Sequence, residues 1–218
     1  LAGLPIYHVS GADSQWTHVM LASPLGHAEA LVNGSFKVYG RGRMGRSGLL
    51  SKERLAPVSE VAVTAEWELG AALVLYQGNG AWQSALELRL EDQEAVAYSI
   101  DQSGNEAVLG RLPGISQPAD LLVRRDHSTF TLLVNGRQVW QGRAPVRLDA
   151  PRVMLRAIGD TDIGPRERRA VFSPVRISAA AEEQTVSGRV VDERGRPLSG
   201  ASVRVAGDPF VHTLTEAD

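Results

Sequence analysis

Two pairs of carboxylates stand at a spacing that puts both members on one side of a β-strand, Glu66 with Glu68 and Glu87 with Glu91. Converging on a cleft, such pairs supply the acid and the base or nucleophile of glycosidic-bond hydrolysis. Both pairs lie in runs that alternate apolar and polar residues, however. Outward charges are what a half-exposed antiparallel strand requires, so a solvated strand face is expected for them. Gly40-Arg41-Gly42-Arg43-Met44-Gly45 has the spacing of a phosphate-cradling loop, and Glu60 follows about 20 residues on, as a dinucleotide site would require. No βαβ alternation follows it. The segment therefore reads as a glycine-rich turn whose Arg41, Arg43 and Arg46 form a basic tip, able to meet an acidic partner or lipid headgroups. His8, His18, His27, His127 and His212 show no zinc-ligand spacing. Asp160 and Asp162, just after a predicted strand, form the one oxygen-rich motif. They are the candidate Ca²⁺ ligands, set against a turn stabilised by Asp side chains, since calcium needs six to eight oxygens.

Aromatic residues add a second kind of chemistry, because their faces stack on pyranose rings and anchor protein interfaces. Trp82 lies in the loop Gly78-Asn79-Gly80-Ala81-Trp82-Gln83, and it is the leading candidate for glycan or protein contact, set against packing within its own loop. Trp140 is expected on the face opposite the core. Trp16, with Tyr7, either caps the fold or plugs into a partner. Trp67 aligns with Val61, Val63 and Leu69 and belongs to the core.

The elements that must position these residues are strands. Val61, Val63, Ala65, Trp67 and Leu69 share one face and Ala62, Thr64, Glu66 and Glu68 the other, and Leu86, Leu88 and Leu90 alternate likewise with Glu87, Arg89 and Glu91. Further strands are predicted over 35–39, 72–76, 95–100, 121–125, 152–158 and 170–177, separated by Gly, Pro, Asn and Asp, with no capped helical stripe anywhere. Asn135-Gly136 predicts a two-residue type I′ hairpin turn. Counting back from it opposes Val134 to Arg137, Leu133 to Gln138, Leu132 to Val139 and Thr131 to Trp140. This register puts Phe130, Leu132, Val134 and Val139 on one face and Trp140 with Leu133 on the other.

Composition bounds the rest. The 218 residues carry 23 basic and 25 acidic side chains, which argues against a general polyanion binder, and so against nucleic acid as partner. Hydrophobic residues make up 43% and charged residues 22%, enough for a core and unlike a disordered chain. No apolar run reaches the roughly 18 residues a membrane-spanning helix needs. With no cysteine, disulfides, thiolate metal sites and cysteine nucleophiles are excluded.

Taken together, Leu121–Val139, Arg152–Ala157 and Ala170–Ile177 resemble the last third of concanavalin A-like lectin/glucanase jelly rolls of the laminin-G-like type, where a strand, a tight turn, a VNG hairpin and a returning terminal strand occur in this order. The resemblance implies an all-β, antiparallel two-sheet jelly-roll sandwich over residues 1–178, whose loops and edges do the recognition. Its catalytic relatives carry an E-x-D-x-E run that neither carboxylate pair here reproduces. Laminin-G-like domains often hold Ca²⁺ at loops like the one carrying Asp160 and Asp162, and no other cofactor is implied.

Residues 179–184 are small and polar and form a predicted linker. Beyond them, Val186-Ser187-Gly188 through Asp192, Gly195, Pro197-Leu198 and Gly200-Ala201 to Val203 and Val205 resembles the carboxypeptidase regulatory-like domain. That resemblance implies a smaller prealbumin-like β-sandwich over 185–218, incomplete at this length, to be finished by further chain or by a partner. Leu1 in place of Met suggests a processed signal or a trimmed chain, and export is expected in the first case. These readings lead to three expectations. The first is a non-catalytic accessory subunit, docking on an extracytoplasmic envelope or membrane-protein assembly at the periplasm or cell surface. The second is a carbohydrate-binding module of an exported protein that takes polysaccharide, and the third is a glycosidase of the same fold.

Overall fold

A computed structural model describes residues 16–20, 26–31, 34–40, 47–78, 84–159, 168–179, 191–196, 198, 202–204 and 212–214. The strands in chain order are β1 (Trp16–Met20), β2 (Gly26–Ala30), β3 (Phe36–Gly40), β4 (Ser47–Arg54), β5 (Val58–Trp67), β6 (Gly70–Gln77), β7 (Ser84–Glu91), β8 (Glu94–Ile100), β9 (Glu106–Pro113), β10 (Ala119–Asp126), β11 (Thr129–Val134), β12 (Arg137–Arg143), β13 (Arg152–Ile158), β14 (Arg168–Phe172), β15 (Arg176–Ala179), β16 (Ser202–Arg204) and β17 (His212–Leu214). The chain divides into two compact units, Leu1–Ala181 and Glu182–Asp218. In the second unit, β16 and β17 pair antiparallel, and Asp192 accepts hydrogen bonds from the backbone N–H groups of Arg194 and Arg196 across a turn that passes Gly195 at φ 76°.

The first unit is an antiparallel two-sheet jelly-roll sandwich, as the strand pattern predicts. One sheet runs β1-β4-β13-β6-β7-β8-β9. The other runs β12-β11-β10-β5-β14-β3-β2, with β15 continuing alongside β5. In the eight-stranded sheet the period-2 pattern holds: β5 buries Val61, Val63, Ala65 and Trp67 and leaves Glu66 exposed. These side chains meet Leu73, Leu75, Leu86, Leu88 and Leu155 of the facing sheet to form the core. Apolar area withdrawn from water there, at about 25 cal/mol per Å², is the main term holding the layers together. The sheets pinch where backbone meets backbone. A Cβ on Gly110 of β9 would stand 2.3 Å from the Val139 carbonyl oxygen of β12, so only glycine fits there.

The hairpin turn is as expected, with Asn135 at φ 51° and Gly136 at φ 73°. Its register is not. Val134 pairs Arg137 and Leu133 pairs Gln138, but a bulge then opposes Leu132 to Trp140 and leaves Val139 as the extra residue. The bulge turns Val139 and Trp140 toward the same side, so both pack on the core. Trp140 is therefore not on the outward face.

Candidate functional site

The seven-stranded sheet departs from the simple alternation. β6, β7 and β13 are buried on both faces, and the outer face of this sheet holds its own apolar cluster around Leu50, Val74, Tyr76, Ile100 and Met154. Charged groups are set into it. Registers align Arg156 of β13, Ala72 of β6, Arg89 of β7 and Val96 of β8 in one row, and Met154, Val74, Glu87 and Tyr98 in the next. Because Ala72 is small, the two arginines can lean over it, and both converge on Glu87.

Arg156 Nη1 donates to Glu87 Oε2 at 2.8 Å and Arg89 Nε to Glu87 Oε1 at 2.8 Å. Arg89 also forks onto Glu106, Nη2 to Oε1 at 2.8 Å and Nη1 to Oε2 at 3.3 Å. Glu87 is 0% exposed, Arg156 1% and Arg89 4%. The expectation of a solvated face for Glu87 is thus corrected: the alternation is right, but the outward side of β7 is itself buried, and the acid is tolerated there because two guanidiniums neutralise it. Burial pushes the Glu87 carboxyl up, but Arg156 and Arg89 outweigh this and hold it at about 2. It stays ionised at neutral pH and cannot serve as a general acid. For Arg89, Glu87 and Glu106 outweigh desolvation and hold the guanidinium above its usual range. Burial raises the Tyr76 phenol, with Arg152 beside it opposing.

This network ends at an accessible platform. The Arg89 guanidinium carbon lies 4.3 Å from the centroid of the Tyr98 ring. Tyr98 is only partly buried, and it stands directly opposite Val108 of edge strand β9, which is 49% exposed. Glu106 flanks this pair on one side. On the other, Arg111 Nη1 donates to Glu94 Oε2 at 2.7 Å. Tyr98 and Val108 thus lie side by side on this sheet, with the Arg89 guanidinium, held by Glu87 and Glu106, against the ring and charged hydrogen-bonding groups of Glu106, Glu94 and Arg111 around them.

Of the residues singled out from sequence, Trp82, Arg41, Arg43, Arg46, Asp160 and Asp162 lie outside the described residues. Trp16 is buried, its ring 5.5 Å from that of Phe36 across the two sheets, which is the capping place rather than a free one. Glu66 and Glu68 are exposed, and Glu68 Oε1 pairs with Arg169 Nε at 3.2 Å. Among the described residues no group of three or more His, Asp or Glu side chains could hold a metal ion, and no helix is long and apolar enough to cross a membrane. Tyr98, Arg89 and Arg156 are not among the functional candidates read from the sequence, where Arg89 appears only in the alternation of its strand. The available signal was Arg156, a lone cation inside the apolar run Val153-Met154-Leu155-Arg156-Ala157-Ile158.

No protein-family model and no curated protein matches the sequence. Solved structures do match the fold. The carbohydrate-binding module CBM66 from Bacillus subtilis aligns with a TM-score of 0.57 at 11% identity, over 76% of this chain and 96% of that one. Alginate lyase A1-II′, a member of polysaccharide lyase family 7, aligns at 0.55 and 9% identity, over 77% and 95%. The glycoside hydrolase family 43 protein BlXynB from Bacillus licheniformis aligns at 0.53 and 14%, over 67% of this chain and 33% of that one. At these identities the likeness shows a shared jelly-roll sandwich, consistent with the concanavalin A-like architecture.

Proposed function

We propose that the first unit is a non-catalytic polysaccharide-binding module of an exported protein, and that the polymer lies on the Tyr98 platform of the seven-stranded sheet. The observation that carries this reading is the partly exposed Tyr98 ring beside Val108, held against Arg89, which is itself fixed by Glu87 and Glu106. A sugar ring offers one face of C–H groups and a rim of hydroxyls. The platform offers the complement, an apolar surface rimmed by Glu106, Glu94 and Arg111, and its rigidity lowers the ordering cost of binding. The sheet chemistry favours this reading over docking on an envelope assembly, and the second unit, read as the start of a carboxypeptidase regulatory-like domain, would then serve as a spacer.

The test is calorimetric titration with a panel of neutral and acidic polysaccharides: xylan, cellulose oligomers, pectin and alginate. Saturable binding to at least one, weakened about tenfold or more by Tyr98→Ala, is expected, which corresponds to about 1.4 kcal/mol. Absence of binding across the panel, or unchanged affinity in a folded Tyr98→Ala protein, would overturn the reading.

A further inference from the structure

A cavity of about 530 Å³ opens at one end of the sandwich, between Pro57, the β10–β11 turn at His127-Ser128, and the segment 144–149 that leads from β12 toward β13. Its volume falls among sites that hold small molecules, roughly 300–1,000 Å³. The walls are set by one side chain. Arg125, 5% exposed, donates through Nε to the carbonyl oxygen of His127 at 3.1 Å and through Nη1 to those of Leu55 and Ala56 at 2.8 and 3.2 Å. Its Nη2 donates to the carbonyl oxygens of Leu148 and Asp149 at 3.4 and 2.6 Å. Three separate segments are thereby pinned before any ligand arrives.

All of those acceptors are neutral, so no carboxylate is hydrogen-bonded to Arg125, although the Asp149 carboxylate stands close enough to act on its charge. The Asp149 carboxylate is taken by Arg147, and His127 Nδ1 faces Asp126 Oδ1 at 2.9 Å. Arg143, exposed at the rim, is paired with no acid among the described residues. The lining thus holds three arginines against one aspartate, together with apolar surface from Pro57, Ala144 and Val146. A free planar guanidinium prefers a carboxylate, which it grips through two parallel hydrogen bonds.

We infer that this cavity is a second binding site, separate from the Tyr98 platform, for a small organic carboxylate borne on a compact body of one or two rings. Arg143 grips the carboxylate, Arg125 supplies background positive charge, and the apolar wall takes the ring. A uronate unit of an acidic glycan and a free cyclic carboxylic acid both have this chemistry.

The experiment titrates the whole chain, at fixed low ionic strength, with glucuronate, cyclohexanecarboxylate, glucose and sulfate, following calorimetry and NMR shifts. Saturable binding of glucuronate is expected at least tenfold tighter than that of glucose or sulfate. It should fall tenfold or more in Arg143→Gln, a variant at an exposed position whose urea midpoint should match the parent, and stay unchanged in Tyr98→Ala. Cyclohexanecarboxylate weaker than glucuronate identifies the sugar acid as the ligand source; equal affinity supports the carboxylate-and-ring site and points to free acids. Sulfate or glucose binding as tightly as glucuronate, or an unaffected Arg143→Gln, overturns the inference. Because Tyr98→Ala is a separate arm, failure of the polysaccharide reading leaves this result legible.

Discussion

Replacing Glu87 by glutamine keeps the shape of the side chain and removes the one carboxylate that two buried guanidiniums share. Glu87 is 0% exposed and accepts from Arg156 and Arg89 at 2.8 Å each. Its carboxyl is held at about 2 against an ordinary 4.5. At 1.36 kcal/mol per unit, that difference is worth about 3 kcal/mol of folding stability at neutral pH. Removing one partner of a buried pair costs about 3–5 kcal/mol by a separate route, since the amide leaves Arg156 facing only a dipole. With a urea slope of about 2 kcal/mol/M, the midpoint should fall by about 1.5–2.5 M at pH 7, read by tryptophan fluorescence. The pH dependence follows from the direction of the shift. Folded Glu87 takes up its proton less readily than the unfolded chain does, so its stabilisation is complete above pH 4.5 and disappears as the pH falls toward 2. The gap between parent and variant should therefore narrow across that window. A loss below about 1 kcal/mol at pH 7, or a gap that stays constant down to pH 2, would refute the reasoning that ties burial to charge pairing.

Two other outcomes follow from the same structure. Glu87→Met combined with Arg89→Leu and Arg156→Met should recover most of the stability lost in Glu87→Gln, to within about 2 kcal/mol of the parent, because apolar residues of similar volume replace the three buried charges, while Glu106, which loses Arg89, stays partly in water. Polysaccharide affinity should fall in this triple variant, since nothing then clamps Tyr98, and parental affinity would show that the clamp is irrelevant. Arg125→Gln should cost about 3–5 kcal/mol, as several buried carbonyls lose their donor together. Limited proteolysis should then cut first within 144–149, and an unchanged midpoint and cleavage pattern would contradict the pinning role.

The sandwich was legible because β5, β10 and β11 of the eight-stranded sheet each have one wetter face, so their alternation maps onto burial. The same rule misled at β7. Leu86-Glu87-Leu88-Arg89-Leu90-Glu91 reads alike whether its polar side meets water or a second buried layer, and periodicity carries no information on which. Pairing of Glu87 with Arg156, 69 residues away, is a long-range fact that no local window contains. The Asn135-Gly136 turn was readable from its composition, whereas the turn between β7 and β8 places Asp92 and Gln93 at φ 47° and 63°, left-handed angles that no glycine announces. The bulge at Val139 escaped for a similar reason. One extra residue reverses the facing of everything beyond it and leaves the apolar pattern unchanged.

The strand order also has a consequence for how the molecule comes into being. In one sheet β13 lies between β4 and β6, and in the other β14 lies between β3 and β5. Both sheets are therefore split down the middle until late chain arrives; Ser51 Oγ, for example, waits for the backbone N–H of Val153, 102 residues downstream. During synthesis the early strands emerge as half-sheets with open inner edges, exposed to wrong pairing, until β13 has emerged to close one layer and β14 the other. Contacts this distant in sequence place folding in the slow range for β-sandwiches, milliseconds to seconds, so the nascent chain depends on protection of those edges more than on the stability of the finished fold.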